Sequence, residues 1–234
     1  MATVKKKTSV KPKRKVLKTA EAHLSVDRHG FSKKEAIKQG FKLAKKNIVF
    51  FIGLFVIVVV VSSISSGIQI GVALEKQPVL YLFLNVLTFI VNAVIGIGLI
   101  KISLEFIDGK KPKFSDLFYV KPLVNFILAS LIKGVITFIG FILFIIPGII
   151  FSIRLQYAPY LIVDKNFPPV DAIKESWEMT KGNTWNLFFF GILLFLVNVL
   201  GAMLLLVGLF VTVPLTMLAT AIVYRKLLLH SKTA

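Results

Sequence analysis

The chain has 234 residues, of which 56% are hydrophobic and only 17% are charged, and its formal net charge is +18. The apolar residues form long uninterrupted runs, which excludes a soluble globular domain and is typical of a membrane protein with several spans. Because the sequence contains no cysteine, disulfides, thiolate catalysis and cysteine-based metal sites are also excluded.

The N-terminal segment is strongly basic. Of the 29 Lys and Arg residues, 15 lie between Lys5 and Lys46, before the first apolar run. Residues 1–31 contain few large apolar side chains, so we expect a disordered cytoplasmic tail rather than a folded domain. Such a tail is expected to touch anionic lipid headgroups. Nucleic-acid or ribosome binding is the alternative, although no aromatic residue for base stacking precedes Phe31.

Six later runs are long and apolar enough to be membrane-spanning helices. The fourth run is short for a full span. A Pro147-Gly148 turn is expected to join the third and fourth runs, and Gly208 the fifth and sixth. The predicted spans are Ile48–Ser66, Val79–Ile100, Leu123–Ile146, Ile149–Val163, Trp185–Val207 and Leu209–Leu228. The predicted fold class is therefore an all-α integral membrane bundle over residues 32–230.

Loop charges predict the orientation of these spans. With six spans, the tail, loops 101–121 and 164–184 and the C-terminus share one side, and nearly all Lys and Arg residues lie there. The other side carries Lys76 alone. By the positive-inside rule, both termini are expected to be cytoplasmic in the cell membrane.

A short pattern occurs twice on the expected cytoplasmic side. Residues 36–47 read AIKQGFKLAKKN, residues 172–183 read AIKESWEMTKGN, and each segment leads directly into a span. Both are predicted to be interfacial amphipathic helices, the first capped by Ser32 and with an apolar stripe that includes Phe41. Trp177 and Trp185, the two tryptophans, are expected interfacial anchors together with Phe41. The recurrence indicates either a parallel duplication or convergence.

The stretch IIPGIIFSIRLQYAPYLIVDKNFPPVDAIKESWEMTKGNTWNLF, together with SLEFIDGKKPKFSDLF upstream, resembles the membrane domain of bacterial and archaeal glycerophosphodiester phosphodiesterases and their uncharacterised relatives. The resemblance implies a six-helix membrane domain. It does not imply catalysis, because in that family the activity belongs to a separate soluble barrel.

Two cations fall inside predicted spans away from the cytoplasmic end of the sixth span, which makes them candidates for function. Lys133 lies in the third span and Arg154 in the fourth, and no carboxylate lies at the centre of any span. Facing inward, the two side chains could hold an anion such as a lipid phosphate. Alternatively, each could snorkel, or Arg154 could cap carbonyls freed by the Pro147-Gly148 turn or by Pro159.

Nothing in the sequence indicates an enzyme. The histidines lie in the tail or at the extreme C-terminus, and no P-loop, metal-ligand spacing or paired intramembrane carboxylates are present, so no cofactor or metal is expected. We expect a non-enzymatic membrane protein that associates with lipid or organises the membrane at the cytoplasmic face. A small transporter or channel for an anionic substrate is the alternative, and a homo-oligomer remains open.

Overall fold

The computed structural model describes residues 31–74, 77–204 and 207–231, and this part of the chain contains helices and no strand. The predicted basic tail lies outside the described residues, except for Phe31. We number the helices α1 (Lys33–Lys46), α2 (Ile48–Leu74), α3 (Pro78–Ile107), α4 (Leu123–Leu143), α5 (Ile145–Arg154), α6 (Ala158–Lys165), α7 (Pro169–Met179), α8 (Thr184–Met203) and α9 (Leu209–His230), with a 3-10 helix at Phe114–Phe118 between α3 and α4.

Within the described ranges, six helical segments are long and apolar enough to cross a membrane, which confirms the predicted fold class. They are Ile48–Gly71, Pro78–Ile107, Leu123–Leu143, Ile145–Lys165, Thr184–Met203 and Leu209–His230. The fourth span consists of two short helices, α5 and α6, and is longer than the predicted Ile149–Val163.

The spans form an inner and an outer set. Over the apolar stretch of each span, buried residues make up 22%, 33% and 61% in the second, fourth and sixth spans, against 11%, 11% and 17% in the first, third and fifth. The short elements on the side of the basic loops each pack against an inner span: α1 against α9, the 3-10 helix against α3, and α7 against α6. Each inner span therefore carries one short element on the side of the basic loops.

The reversal between the third and fourth spans was predicted at the wrong residues. Phe144 has extended backbone angles and ends α4, whereas Pro147 and Gly148 lie in the first turn of α5. Proline is tolerated there because a first-turn N–H has no partner within the helix. Gly148 is buried in close contact with α4, where an added Cβ would meet the ring of Phe141. Gly148 is thus required for its small size, which permits the close contact with α4, and not for forming a turn.

Helix α1 begins where the sequence predicted, but it buries a different face. The side chain of Ser32 accepts a hydrogen bond from the Glu35 N–H at 3.4 Å, which confirms the predicted cap. The buried residues are Ala36, Gly40 and Ala44, and they pack against α9. Phe41, which belongs to the predicted apolar stripe and is a predicted interfacial anchor, is 45% exposed.

Close backbone approach explains this choice of face. A Cβ added at Gly40 would lie 2.9 Å from the carbonyl oxygen of Leu215 and 3.1 Å from the amide nitrogen of Ala219. Near the other end of the contact, Lys226 Nζ bonds the Glu35 carboxylate at 3.1 Å. Within a bilayer, small residues mark where helices meet because large apolar side chains are equally stable facing lipid.

Helix α7 buries the matching positions of the twelve-residue pattern. Ala172, Ser176 and Thr180 are fully buried, and they correspond in register to Ala36, Gly40 and Ala44. The opposite face of α7 carries Asp171, Lys174 and Glu178, which are exposed. Both segments are therefore amphipathic helices, as predicted, but each holds to the bundle through small residues.

Candidate functional site

The fourth span is interrupted immediately after Arg154. Pro159 lies in the first turn of α6, and its ring would clash with the carbonyl of Leu155 if the helix continued. Helix α5 therefore ends at Arg154, and α6 begins at Ala158. The interruption leaves backbone groups of Arg154 and Tyr157 without partners within a helix.

Hydroxyl groups on α7 satisfy these backbone groups. Ser176 Oγ donates to the Arg154 carbonyl at 2.7 Å and accepts from the Tyr157 N–H at 3.2 Å. Thr180 Oγ1 lies 3.3 Å from the same carbonyl. The interruption and α7 thus form one unit, in which the amphipathic helix completes the broken span.

The guanidinium of Arg154 is held against the same helix. Its Nη2 donates to the Trp177 carbonyl at 2.9 Å, and its centre lies 3.6 Å from the centroid of the Trp177 ring. Its buried Nε has no hydrogen-bond partner, and within the described part of the chain no carboxylate pairs with it. Arg154 therefore keeps an uncompensated positive charge in a fixed position.

An apolar groove opens beside Arg154, between α5 and the start of α8. Its volume is about 520 Å³, and Trp185 at its edge is 67% exposed. The groove is lined by Ile146, Ile149, Ile150, Ile153, Arg154, Gly182, Thr184, Trp185 and Phe188. A smaller groove of about 440 Å³ is lined by Trp177 and other residues of α7, by Ile136 of α4 and by Leu155.

Lys133, the other predicted site residue, is not joined to Arg154. Among the described residues its amine makes no hydrogen bond or ion pair, and it lines neither groove. The structure shows no contact between the Lys133 and Arg154 side chains of the predicted two-cation site, and Arg154 instead contacts α7. Of the predicted anchors, Phe41 and Trp185 are exposed, whereas Trp177 is partly buried against Arg154.

A buried ion cluster was missed by sequence reasoning. Arg225 on α9 donates to both oxygens of Asp164 at 2.7 and 3.0 Å and to Asp108 at 2.8 Å, and Tyr224 donates to Asp164 at 3.0 Å. The side chain of Asp164 is only 11% exposed. Asp108 caps the end of the second span, so the ends of all three inner spans meet in this cluster, on the side where the basic loops lie.

The groups around Arg154 are suited to holding an anion. In the described ranges, no group of three or more His, Asp or Glu residues could hold a metal ion. Arg154 instead combines a fixed cation, an apolar groove and the amino end of α8. This combination makes it the leading candidate site for an amphiphilic anion.

Comparison with known proteins gives relatives without an assigned role. A family model described as a domain of unknown function (DUF7847) matches residues 76–230, which include Arg154 and the groove. Uncharacterised proteins of Mycobacterium tuberculosis and Mycobacterium bovis are each 29% identical over 130 residues, 56% of this chain. The match covers only 40% of each relative. No solved structure matches the chain. These descriptions do not mention a glycerophosphodiester phosphodiesterase membrane domain.

Proposed function

Since the chain belongs to the DUF7847 family, whose description names no activity, we propose from its charge and geometry that it is a non-enzymatic membrane protein that binds anionic lipid at the cytoplasmic face. The observation that carries the proposal is the one-sided charge of the loops. Lys and Arg residues of α1, of loop 108–122, of α7 and of the C-terminal turn lie on one side of the six spans, against Lys76 on the other.

This charge supports both an orientation and a ligand. Under the positive-inside rule, the basic side is cytoplasmic and both termini lie there. Each Lys or Arg near an anionic leaflet contributes about 1 kcal/mol of attraction. We therefore place the chain in the cell membrane, with the predicted tail and the exposed cations Lys174 and Lys181 at the anionic surface.

Three further parts of the proposal concern the architecture. The resemblance to the phosphodiesterase membrane domain is kept as a statement about architecture and not about catalysis. A duplication of the amphipathic segment is supported by the matching buried positions of α1 and α7. A three-fold recurrence of a short element followed by or packed on a span is supported by the contact of each short element with an inner span.

Native mass spectrometry of the intact protein, released with its surrounding lipid, tests the proposal. We expect phosphatidylglycerol to be retained in preference to phosphatidylcholine, and the preference to weaken when residues 1–30 are deleted. A chain that retains the two lipids equally would contradict the proposal. The same spectra report whether a homo-oligomer or a second protein is present.

The transporter alternative is favoured by one observation, the unpaired Lys133 in the middle of α4. An ionisable residue within a span is a candidate for a substrate or ion pathway, and a cation without a carboxylate partner suits an anion. In that case, Lys133→Gln would abolish anion flux into reconstituted vesicles without lowering thermal stability. Lys121→Gln, which removes an exposed cation before the same helix, is the matched control. Vesicles without flux in the unmodified protein would exclude this alternative.

A further inference from the structure

We propose that the groove between α5 and α8 binds one anionic phospholipid, with its phosphate at Arg154 and the first turn of α8 and one acyl chain along the isoleucines of α5. This inference rests on the proposed function and gives it a specific site. Three independent features of the groove support it: an unpaired cation, a helix amino terminus and an apolar wall.

The cation is available for a ligand. A guanidinium carries five N–H donors, and the hydrogen bond from Arg154 Nη2 to the Trp177 carbonyl uses one of them. Stacking on the Trp177 ring at 3.6 Å fixes the orientation of the group without neutralising its charge. Arg225 shows the contrast, because Asp108 and Asp164 already occupy its donors. Of these two arginines in spans, only Arg154 has room for an external anion.

The amino terminus of α8 provides the second group of donors. Helix α8 is 20 residues long, and Asn183 at its N-cap makes no side-chain capping bond. Gly182, with φ of +78°, leaves open space beside its Cα. Gly182, Thr184 and Arg154 line the same groove. First-turn N–H groups and the helix dipole stabilise phosphate, so the two donor groups act on one position.

The apolar wall selects a lipid rather than a soluble anion. From Arg154 towards the start of α5, the groove is bordered by Ile153, Ile150, Ile149 and Ile146. Its volume of about 520 Å³ is within the range of small-molecule sites, about 300–1,000 Å³. Inorganic phosphate would leave this wall uncovered, whereas an acyl chain would fill it. Trp185, an amphipathic ring at the edge of the groove, suits the level of the glycerol backbone.

The two tryptophans allow a direct test, because Trp185 lines the groove and Trp177 stacks on Arg154. Bromine on an acyl chain quenches tryptophan fluorescence at contact. The full chain would be placed in phosphatidylcholine nanodiscs in which brominated phosphatidylglycerol or brominated phosphatidylcholine replaces part of the lipid. We expect half-maximal quenching at about tenfold less brominated phosphatidylglycerol, the ratio that a single charge-assisted contact supplies.

Four variants assign the effect to the groove. Arg154→Gln is expected to remove the roughly tenfold preference, and Arg154→Lys to retain part of it, since the charge remains. Lys121→Gln, an exposed cation outside the groove, is the control and is expected to keep the preference. Ile150→Phe narrows the groove without touching the charge, and we expect it to lower quenching by phosphatidylglycerol even if Arg154→Gln fails to fold.

The outcomes separate this site from the general function. Equal quenching by the two brominated lipids in the unmodified protein would mean boundary lipid only and would overturn the site. A phosphatidylglycerol preference that inorganic phosphate abolishes would overturn the choice of a lipid. A preference that survives both Arg154→Gln and Ile150→Phe would move the lipid elsewhere, for example to the tail, and would leave the proposed function standing. Loss of lipid preference in native mass spectrometry would refute both.

Discussion

Helices α1 and α7 carry the same pattern and bind their neighbours by different means. At the central position of the buried face, α1 has Gly40 and α7 has Ser176. Gly40 lets α1 approach the backbone of α9, which continues without interruption past the contact. Ser176 instead bonds the carbonyl and N–H groups exposed by the break between α5 and α6.

The difference follows from the partner. A continuous helix offers few free backbone groups along its side, so α1 is held to α9 by close packing and by the side-chain pair of Glu35 and Lys226. An interrupted helix has unsatisfied groups that cost about 1–3 kcal/mol each when buried, so it needs a hydroxyl. The same amphipathic pattern thus packs on a continuous helix in one case and on an interrupted helix in the other. The residue at the central position, Gly40 or Ser176, distinguishes the two contacts. The lipid site that we propose occurs only at the interrupted partner, where Arg154 is exposed to a groove.

Both helices pack on inner spans, and the Arg225 cluster joins the ends of those spans. A change at Arg225 is therefore expected to have the largest effect on stability. Arg225→Leu leaves Asp108 and Asp164 buried without their partner. Removing one member of such a cluster costs about 3–5 kcal/mol in free energy of unfolding. Unfolding by sodium dodecyl sulphate in mild detergent would measure the loss.

Two matched variants make the result specific. Lys165→Gln removes another cation near Asp164, but this lysine is 31% exposed, so the expected loss is below about 1 kcal/mol. Adding Asp108→Asn and Asp164→Asn to Arg225→Leu is expected to recover part of the stability, because no buried charge then stays unpaired. If Arg225→Leu were as stable as the unmodified chain, the inner spans would not depend on this cluster.

Gly40→Ser places the residue of α7 into the site of α1. Its Cβ would meet the Leu215 carbonyl oxygen at 2.9 Å, and backbone cannot move aside as a flexible side chain can. We expect a loss of about 2 kcal/mol, typical of overpacking, despite the better helix propensity of serine. The same denaturation measurement applies. Gly191→Ser, at a glycine of α8 with open space around it, is the control and is expected to be neutral or stabilising.

Ser176→Gly is the reciprocal exchange. It removes the hydroxyl that accepts from the Tyr157 N–H and donates to the Arg154 carbonyl. We expect a loss of about 1–2 kcal/mol rather than more, because Thr180 still contacts that carbonyl. Amide hydrogen exchange would report faster exchange at Tyr157. Unchanged exchange there would show that water replaces the hydroxyl, and the contrast between the two helices would then lose its chemical basis.

The sequence predicted the features that depend on composition. Long apolar runs and one-sided charge were enough for six spans, and the Ser32 cap located the start of α1. The buried face of α1 was not predictable from apolar periodicity, since Phe41 is stable facing lipid. In a bilayer the spacing of small residues, here Ala36, Gly40 and Ala44, is the better signal of a protein contact.

The sites were predicted less well than the spans. Arg154 was found because it is an isolated cation in an apolar run, but its engagement with α7 depends on contacts more than 20 residues apart. Arg225 was counted as loop charge because its partners are 61 and 117 residues away. Pro159 was noted as a source of free carbonyls, yet sequence alone could not say that Ser176 and Thr180 would satisfy them.

The 3-10 helix is the third short element on this side. Its Leu117 is fully buried against the bundle, and an ion pair adds to this packing, so pH should act on it with the smallest effect. Lys101 Nζ lies 2.6 Å from Asp116, and this hydrogen bond, with a second from the Lys113 N–H, holds the pKa of the Asp116 carboxyl below its usual range. A lowered pKa in the folded state means that the stabilisation is complete above the unfolded pKa of about 3.9 and is lost as pH falls through the folded value.

Asp116→Asn should therefore lower the melting temperature slightly at neutral pH, by the equivalent of less than about 1 kcal/mol, as for other partly exposed ion pairs. The difference from the unmodified chain should stay constant down to about pH 5 and then shrink below about pH 4, as pH falls towards and through the lowered folded pKa of Asp116. Melting curves of both proteins across this range in the same detergent would measure it. A difference that persists at the acid end would mean that Asp116 holds the 3-10 helix by shape rather than by charge.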